Sequence, residues 1–372
     1  MIKNNNAIIV FIPVIIISGF LFLVPAYSQL PYLTKIQSSS EKNQNSMIIS
    51  GDESNNNNSI ASVLKYSDGN TNSRTNQSSN NNAKVVIINF DDSPLYAKPV
   101  LDKYGFKATF FEVCNWVEAG YRKSDTTTTW KDIAALQRDG MDIEAHTMTH
   151  PNLNNLSSAG LDYEIGQSKQ CLINHGINST IFAYPNGEGS NNSTVVNTVA
   201  KYYHLARTDS KTAVTFLHCD GSNNTGNENN IQRDCRTYFS NGTLTPSNRY
   251  SINSWAHKHI ERDCYTNSAI PGTCTAVRHE YNNSQMFGKF ITAVNSQNNY
   301  NKDGIVRSIP IIIYHTIVTY PDLSYSNRPI DTTLNLFDTE MKYLQDNGFR
   351  VLTLSDLGYD ENKNYFYIKN HS

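Results

Sequence analysis

The chain has 372 residues and almost balanced charges, with 31 Lys and Arg residues against 33 Asp and Glu residues. A formal net charge of -2 and a sequence without a basic stripe argue against a protein that binds nucleic acid by electrostatic attraction. About 280 residues of ordinary globular composition follow residue 84, which is enough for one large domain.

The N-terminal segment resembles an export signal. Lys3 precedes an apolar run over residues 7–24, and Ala26-Tyr27-Ser28 supplies the small residues of a cleavage site. We therefore predict a signal peptide over residues 1–28. An uncleaved membrane anchor is the alternative, because the run approaches the ~20 residues that span a bilayer. Both interpretations place the protein outside the cytoplasm, secreted or tethered to the cell surface.

Residues 29–83 are rich in Asn and Ser, and such a segment buries too little apolar surface to offset its ordering entropy. We predict a disordered linker there, followed by one globular domain over residues 84–362. Residues 218–247, rich in Asn, Gly and Ser, read as a surface insertion in this domain. Sequons such as those at Asn178, Asn241 and Asn282 allow glycosylation.

Six cysteines in an exported chain predict disulfides rather than free thiols. Proximity along the chain favours the pairs Cys219–Cys235 and Cys264–Cys274, which leaves Cys114 for Cys171. Six cysteines allow fifteen connectivities, so the pairing is one hypothesis among several.

Apolar, β-rich runs alternate with helical patterns from residue 85 onward. In chain order, strands are predicted over 85–90, 107–113, 141–145, 180–184, 203–207, 309–314 and 349–354, and helices over 95–104, 130–139, 159–175, 194–203 and 336–348. Strand–helix alternation with short connections is typical of parallel βαβ units, which predicts an α/β sheet or barrel.

Polar side chains follow several of these strands directly. Asp91-Asp92, His146, Pro185 and His315 stand just after four different strands. The carboxyl ends of parallel strands share one face, so we expect these residues to meet there.

Asp91 and Asp92 are adjacent carboxylates, which repel each other unless a cation lies nearby. A metal ion bound by one acid would relieve the repulsion and leave the other to act as a base. A helix N-cap with a solvated neighbour is the alternative. His146 and His150, four residues apart in a predicted loop, can reach the same ion. Two imidazoles and one carboxylate leave a coordination position open, which is typical of catalytic zinc.

These segments resemble motifs of the polysaccharide deacetylase family (NodB-like, carbohydrate esterase family four). Asn89-Phe90-Asp91-Asp92, His146-Thr147-Met148-Thr149-His150 and Phe182–Gly187 are similar to its first three motifs. Ile313-Tyr314-His315 and the segment Phe337–Leu354 are similar to its late motif and its closing helix and strand.

The resemblance implies a distorted (β/α) barrel that removes N-acetyl groups from amino-sugar polymers. By position, Asp91 would be the general base, His315 the general acid, and Asp92, His146 and His150 the metal ligands. The ion would be Zn²⁺, with Co²⁺ or Ni²⁺ as alternatives. The backbone near Asn186 would bind the oxyanion, and Tyr184 and Trp255 would contact substrate.

The chain departs from the family pattern at three places. Ser93 replaces a Gly after the acid pair, and Ala183 occupies the position of an Arg that pairs with the base. The fourth motif has only Ser251–Trp255 as a match, without its acids. His257 and His259 are expected at the surface. Two alternatives stay open: an amidohydrolase of the same fold acting on a non-glycan C–N bond, and a glycan-binding protein with impaired turnover.

Overall fold

The run Val85–Asp91 forms a strand whose seven residues are all buried, as its Val, Ile and Phe content predicts. A computed structural model describes residues 83–92, 95–120, 128–210, 213–217, 249–266, 274–302, 304–363 and 365–370. All of them belong to one compact unit, Thr75–Ser372. The predicted signal peptide, most of the linker and the insertion 218–247 lie outside the described residues, and so do Cys219 and Cys235.

Fifteen strands form in the described chain. They are β1 Val85–Asp91, β2 Thr109–Glu112, β3 Asp142–Ala145, β4 Ile181–Ala183, β5 Leu205–Asp209, β6 Val214–Phe216, β7 Ile252–Ala256, β8 Ile260–Thr266, β9 Cys274–Glu280, β10 Ser308–Tyr314, β11 Thr316–Val318, β12 Asp331–Thr333, β13 Arg350–Leu352, β14 Leu357–Asp360 and β15 Tyr365–Ile368.

The same residues form eight α-helices. They are α1 Lys98–Tyr104, α2 Cys114–Glu118, α3 Trp130–Arg138, α4 Ser158–Leu161, α5 Ser168–Asn174, α6 Ser193–Tyr202, α7 Asn283–Asn295 and α8 Leu334–Asp346. A π-helical turn over Asp162–Gln167 joins α4 to α5. None of the helices described combines the length and apolar character needed to cross a bilayer.

Seven parallel strands close into a barrel in the order β1-β2-β3-β4-β5-β7-β10. Closure is made by β10 against β1, with Phe90 opposite Tyr314. Strand β13 adds to the outside of β1 in parallel, and β6 pairs antiparallel with β10. The predicted fold class, a distorted (β/α) barrel, is confirmed.

Alternate residues of each strand face the barrel interior or the surrounding helices. Val85 and Ile87 belong to the interior cluster, whereas Val86, Ile88 and Phe90 belong to the core between barrel and helices. In each barrel strand, this alternation determines whether a side chain faces the interior or the surrounding helices. Asp91 continues the interior series of β1.

Two barrel-associated elements are absent from the predictions. Strand β7, which is needed for closure, has polar Asn253 and Ser254 at its centre and lacks the apolar run of the other strands. Helix α7 has apolar residues at helical spacing, Met286, Phe290 and Val294, and begins with an Asn282–Gln285 capping box. Both features are sequence patterns that indicate a helix.

The predicted Cys114–Cys171 disulfide is confirmed, and it joins α2 to α5. The side chains of Cys264 and Cys274 lie outside the described residues, so their pairing stays a prediction. The domain limits also stay predictions.

Candidate active site

Three predicted ligands meet at the carboxyl end of the barrel. One ligand atom from each of Asp92, His146 and His150 lies within 4.8 Å of the others. Asp92 follows β1, and the two histidines follow β3. The structure therefore brings together a carboxylate oxygen and two imidazole nitrogens from two strand ends.

His146 is oriented for this cluster by a backbone contact. Its Nδ1 lies 2.8 Å from the carbonyl oxygen of Ala183, which can only accept, so Nδ1 carries the hydrogen and Nε2 keeps its lone pair. Burial, helped by His150, lowers the pKa of His146 well below its ordinary value. The ring is therefore neutral at neutral pH, as a metal ligand must be.

His150 is held by its own loop and by α2. Its ring stacks on Trp116 with a centroid distance of 5.2 Å, and its backbone N–H donates to the Thr147 hydroxyl at 2.9 Å. The segment His146–His150 is a loop, as Pro151 predicts.

Backbone strain is concentrated at the cluster. The non-glycine residues with positive φ in the described chain are Asp92, Thr147, His150 and Asn186, with φ between 54° and 71°. Left-handed conformations cost such residues roughly 1 kcal/mol each or more. Four such residues at the carboxyl end of the barrel indicate that the surrounding structure holds the backbone in this conformation.

The donor set fits a divalent ion with an open coordination position. A neutral imidazole with its second nitrogen committed to a carbonyl, a second imidazole and a carboxylate match a catalytic zinc set. Asp92, His146 and His150 would hold the ion.

The Asp91 carboxylate lies beside this cluster, and each of its two oxygens faces the side-chain nitrogen atoms of basic residues. Its Oδ2 is 3.8 Å from Nε2 of His146 and 3.7 Å from Nε2 of His315. Its Oδ1 accepts a hydrogen bond from the guanidinium of Arg207. The structure thus brings both predicted catalytic residues, Asp91 and His315, to the metal cluster.

Arg207 supplies the guanidinium that the sequence lacks at position 183. Strands β4 and β5 pair so that Ala183 and Arg207 are direct partners. Arg207 is 1% exposed, and its guanidinium carbon lies 4.5 Å from the ring centroid of Phe111. The sequence left open what replaces the missing arginine, and in the structure Arg207 of the neighbouring strand contacts Asp91. Its position at the end of a predicted strand was the available signal.

Glu112, at the end of β2, is a further acid at this face that the sequence did not indicate. Burial raises the pKa of Glu112 to about 8, and the charges of Asp92 and Asp91 add to the rise. A neutral Glu112 at neutral pH limits the negative charge that accumulates around the two aspartates.

Two residues predicted to contact substrate have side chains on the helix side of the barrel wall, and their role stays a prediction. Tyr184 is 1% exposed and packs edge-on against Phe182 in the core outside the barrel. Trp255 lies on the outer face of β7 beside Phe287, because its neighbours Ser254 and Ala256 occupy the interior positions. Asn186 is exposed, in a tight turn after β4 with φ of 54°, where its backbone can face the site.

His257 and His259 are buried, so the expectation of surface positions is wrong. His257 is 0% exposed, with Nε2 2.9 Å from a carboxylate oxygen of Glu340 and Nδ1 3.0 Å from the Thr332 hydroxyl. The second Glu340 oxygen accepts from Tyr314 at 2.7 Å. A satisfied network of this kind fixes α8 against the barrel wall.

Fold and site together define a parallel (β/α) barrel with a carboxylate–imidazole centre at the carboxyl ends of its strands. Residues 78–205 match the family model described as Polysaccharide deacetylase. The resemblance to the polysaccharide deacetylase family is therefore confirmed.

Three relatives illustrate the similarity. "Putative polysaccharide deacetylase YxkH" of Bacillus subtilis is 37% identical over 109 residues, 28% of this chain and 37% of that protein. The Streptococcus pyogenes deacetylase PplD, solved with acetate, is 31% identical over 34% of this chain and 57% of that chain, with a TM-score of 0.32. A family 4 carbohydrate esterase from Streptomyces lividans, also with acetate, is 25% identical over 34% of this chain and 65% of that chain, with a TM-score of 0.30. The chain thus spans less than two thirds of each.

Proposed function

We propose that the protein is an exported, metal-dependent hydrolase that removes N-acetyl groups from amino-sugar polymers of the chitin, peptidoglycan or exopolysaccharide kind. The arrangement around Asp91 carries the proposal. One carboxylate contacts Arg207 and faces both the buried ligand His146 and the less buried His315, beside a three-residue metal cluster. The confirmed family resemblance supports the choice of substrate class.

Amide hydrolysis needs an activated water, a stabilised oxyanion and a proton for a poor leaving group. A divalent ion at Asp92, His146 and His150, zinc by donor type with cobalt or nickel as alternatives, would acidify water and polarise the acyl oxygen. Asp91 Oδ2 would take the proton of the attacking water, while Arg207 holds Oδ1 and fixes the direction of the carboxylate.

His315 would donate a proton from Nε2 to the departing amine, since that nitrogen already faces Asp91 Oδ2 at 3.7 Å. The backbone N–H of Asn186 would donate to the developing oxyanion, and such a donor contributes roughly 3 kcal/mol. These assignments place base, acid and oxyanion donor on three different strand ends around one point.

Two alternatives are distinguished by substrate and turnover. An amidohydrolase of the same fold would use the same residues on a non-glycan C–N bond. A glycan-binding protein with impaired turnover is disfavoured by Arg207, because a binder has no need of a buried guanidinium that orients a base. We also propose a location outside the cytoplasm, supported by the N-terminal pattern alone.

The first test measures acetate release from chitin oligomers and peptidoglycan. We expect Asp91→Asn to lower the release rate by about 10²–10⁴-fold, the usual contribution of a general base. EDTA should abolish release and added Zn²⁺ should restore it, while Asp338→Asn, a partly exposed surface position on α8, should match the parent. If the protein binds glycans but releases no acetate from any of them with any added metal ion, the glycan-binding alternative would be favoured instead.

The second test separates the acid from the base. His315→Gln should lower acetate release from an N-acetyl glycan by about 100-fold or more, but hydrolysis of 4-nitrophenyl acetate much less, because 4-nitrophenolate leaves without a proton. Equal losses on amide and ester would contradict the role of His315. Asp91→Asn is the comparison, because water activation is needed for both substrates.

A further inference from the structure

The loop His146–His150, which carries both predicted histidine ligands, is held by hydrogen bonds from two sides. On one side, the first residues of α2 fix its carbonyl groups: the backbone N–H of Cys114 donates to Thr147 O at 3.2 Å, and that of Asn115 to Met148 O at 2.9 Å. On the other side, Glu164 fixes its amide groups. Both sides therefore hold the backbone of the loop directly.

Glu164 makes three contacts with two consecutive loop residues. Its Oε2 accepts from the backbone N–H of Met148 at 3.0 Å and of Thr149 at 2.8 Å, and its Oε1 accepts from the Thr149 hydroxyl at 2.6 Å. Hydrogen bonds to an ionised acceptor are roughly twice as strong as neutral ones. One side chain therefore satisfies every donor that these two residues present toward it.

A local irregularity places Glu164 there. The residue lies in the π-helical turn Asp162–Gln167, and its side chain is buried, with 6% exposure. Single π-turns within helices occur mainly at functional sites, because the extra residue redirects the following side chains. Gly166 lets the turn approach α6, since a Cβ there would lie 2.7 Å from the Tyr202 ring.

The loop needs such support because its ligand geometry is intrinsically unfavourable. Thr147 and His150 both adopt φ above 60°, one on each side of the residues that Glu164 holds. Removing the acceptor would leave two amides unsatisfied in a partly buried loop, which is unfavourable. The loop would then relax toward ordinary backbone conformations and carry His150 away from Asp92.

We propose that Glu164 is a positioning residue for the metal centre: it holds the backbone of Met148 and Thr149 so that His146 and His150 converge on one ion. The inference rests on the proposed function only in that this loop binds a metal. Geometry, not charge, is the decisive property. Gln can accept both amides with its carbonyl oxygen and donate to the Thr149 hydroxyl with its amide nitrogen.

The test is the affinity of the full chain for Zn²⁺, measured by competition with a chromogenic chelator, and the visible absorption spectrum of the Co²⁺ form. Glu164→Leu, which keeps the volume and removes both acceptors, should weaken Zn²⁺ binding by about 10–100-fold, as loss of a supporting contact at a metal site does. It should also change the Co²⁺ spectrum. Glu164→Gln should stay within a few-fold of the parent.

Asp162→Asn is the matched control, a partly exposed acid in the same π-turn whose carboxylate contacts Lys201 and Tyr202 and not the loop, and it should behave as the parent. If Glu164→Leu does not fold, Glu164→Asp replaces it, because a side chain one methylene shorter cannot reach both amides. Parent-like affinity and an unchanged spectrum in the folded variant would overturn the inference. A parent that binds Zn²⁺ but releases no acetate would overturn the proposed function alone.

Discussion

Asp91 is the central residue of the proposed mechanism, and its two carboxylate oxygens contact different partners. Arg207 contacts Oδ1 from within the barrel, and His146 and His315 face Oδ2 from the open end. An arginine pair of this kind fixes a carboxylate in direction. The oxygen that faces the site is therefore the one without the guanidinium.

Replacing Arg207 tests this arrangement. We expect Arg207→Ala to lower acetate release by at least about 100-fold, the usual effect of removing one oriented electrostatic partner. Zn²⁺ affinity should change less, because Arg207 contacts Asp91 and not the three ligands. Acetate release and chelator competition on the same preparations measure the two effects.

A compensating substitution makes the test specific. Because Ala183 is the register partner of Arg207, Ala183→Arg combined with Arg207→Ala should recover part of the lost rate. Arg138→Ala, an exposed position on α3, serves as the control. If the Arg207→Ala variant releases acetate at the rate of the parent, Arg207 has no role in catalysis.

At the scale of elements, the Cys114–Cys171 bond joins the two pieces of chain that hold the ligand loop. Cys114 starts α2, which binds the loop carbonyls, and Cys171 lies in α5, which continues directly from the π-turn of Glu164. The bond closes a segment with a sequence separation of 57 that contains both histidine ligands.

Replacing both cysteines by serine should therefore affect stability. Loop-closure entropy for a segment of this length corresponds to about 4 kcal/mol, so we expect a loss of roughly 2–4 kcal/mol in the free energy of unfolding. Urea denaturation of the metal-free protein measures it. Reduction of the parent by dithiothreitol should lower the midpoint at least as far, because it also breaks the two other disulfides that the sequence predicts. An unchanged midpoint in the double variant would show that the Cys114–Cys171 bond contributes no stability.

The elements also show what the sequence could and could not predict. Strand β1 was predictable because parallel strands buried on both faces are continuous apolar runs. Strand β7 was not, since its stability comes from pairing on both edges and from contacts such as the Ser254 hydroxyl to Thr208 O. The predicted metal ligands could be recognised from their spacing in the sequence. Arg207 and Glu164 could not, because only the folded chain brings them near the residues that they contact.

At the scale of the whole molecule, buried acids connect the barrel to the C-terminal segment. Glu144 accepts from Thr180 N and Ile181 N, both at 2.8 Å, and the Ser355 hydroxyl bridges Glu144 and Asp142 at 3.2 and 2.6 Å. Burial raises the pKa of Glu144 to about 8, and the charge of Asp142 adds to the rise. Burial also raises the pKa of Asp142.

These shifts predict a pH dependence of stability. Between the ordinary pKa of 4.5 and about 8, the folded protein holds a proton on Glu144 that the unfolded chain releases. The stabilising contribution is therefore complete below pH 4.5 and is lost as pH rises toward 8. Glu144→Gln cannot titrate, so its free energy of unfolding should fall less between pH 5 and pH 8, by roughly 1–3 kcal/mol.

Urea denaturation in EDTA at several pH values checks this expectation. Glu112, whose pKa shifts in the same direction, is present in both proteins, so the difference in slope reports the Glu144–Asp142 pair. Parallel curves for the parent and Glu144→Gln would refute the assignment.

The arginine on β5 has a consequence for how such proteins are found. Selection acts on where a positive charge sits in space, and two neighbouring strands can deliver it to the same spot. Pattern searches that demand the residue at one place in the chain will discard members that keep the chemistry. A search for a basic residue on either of two paired strand ends would recover them.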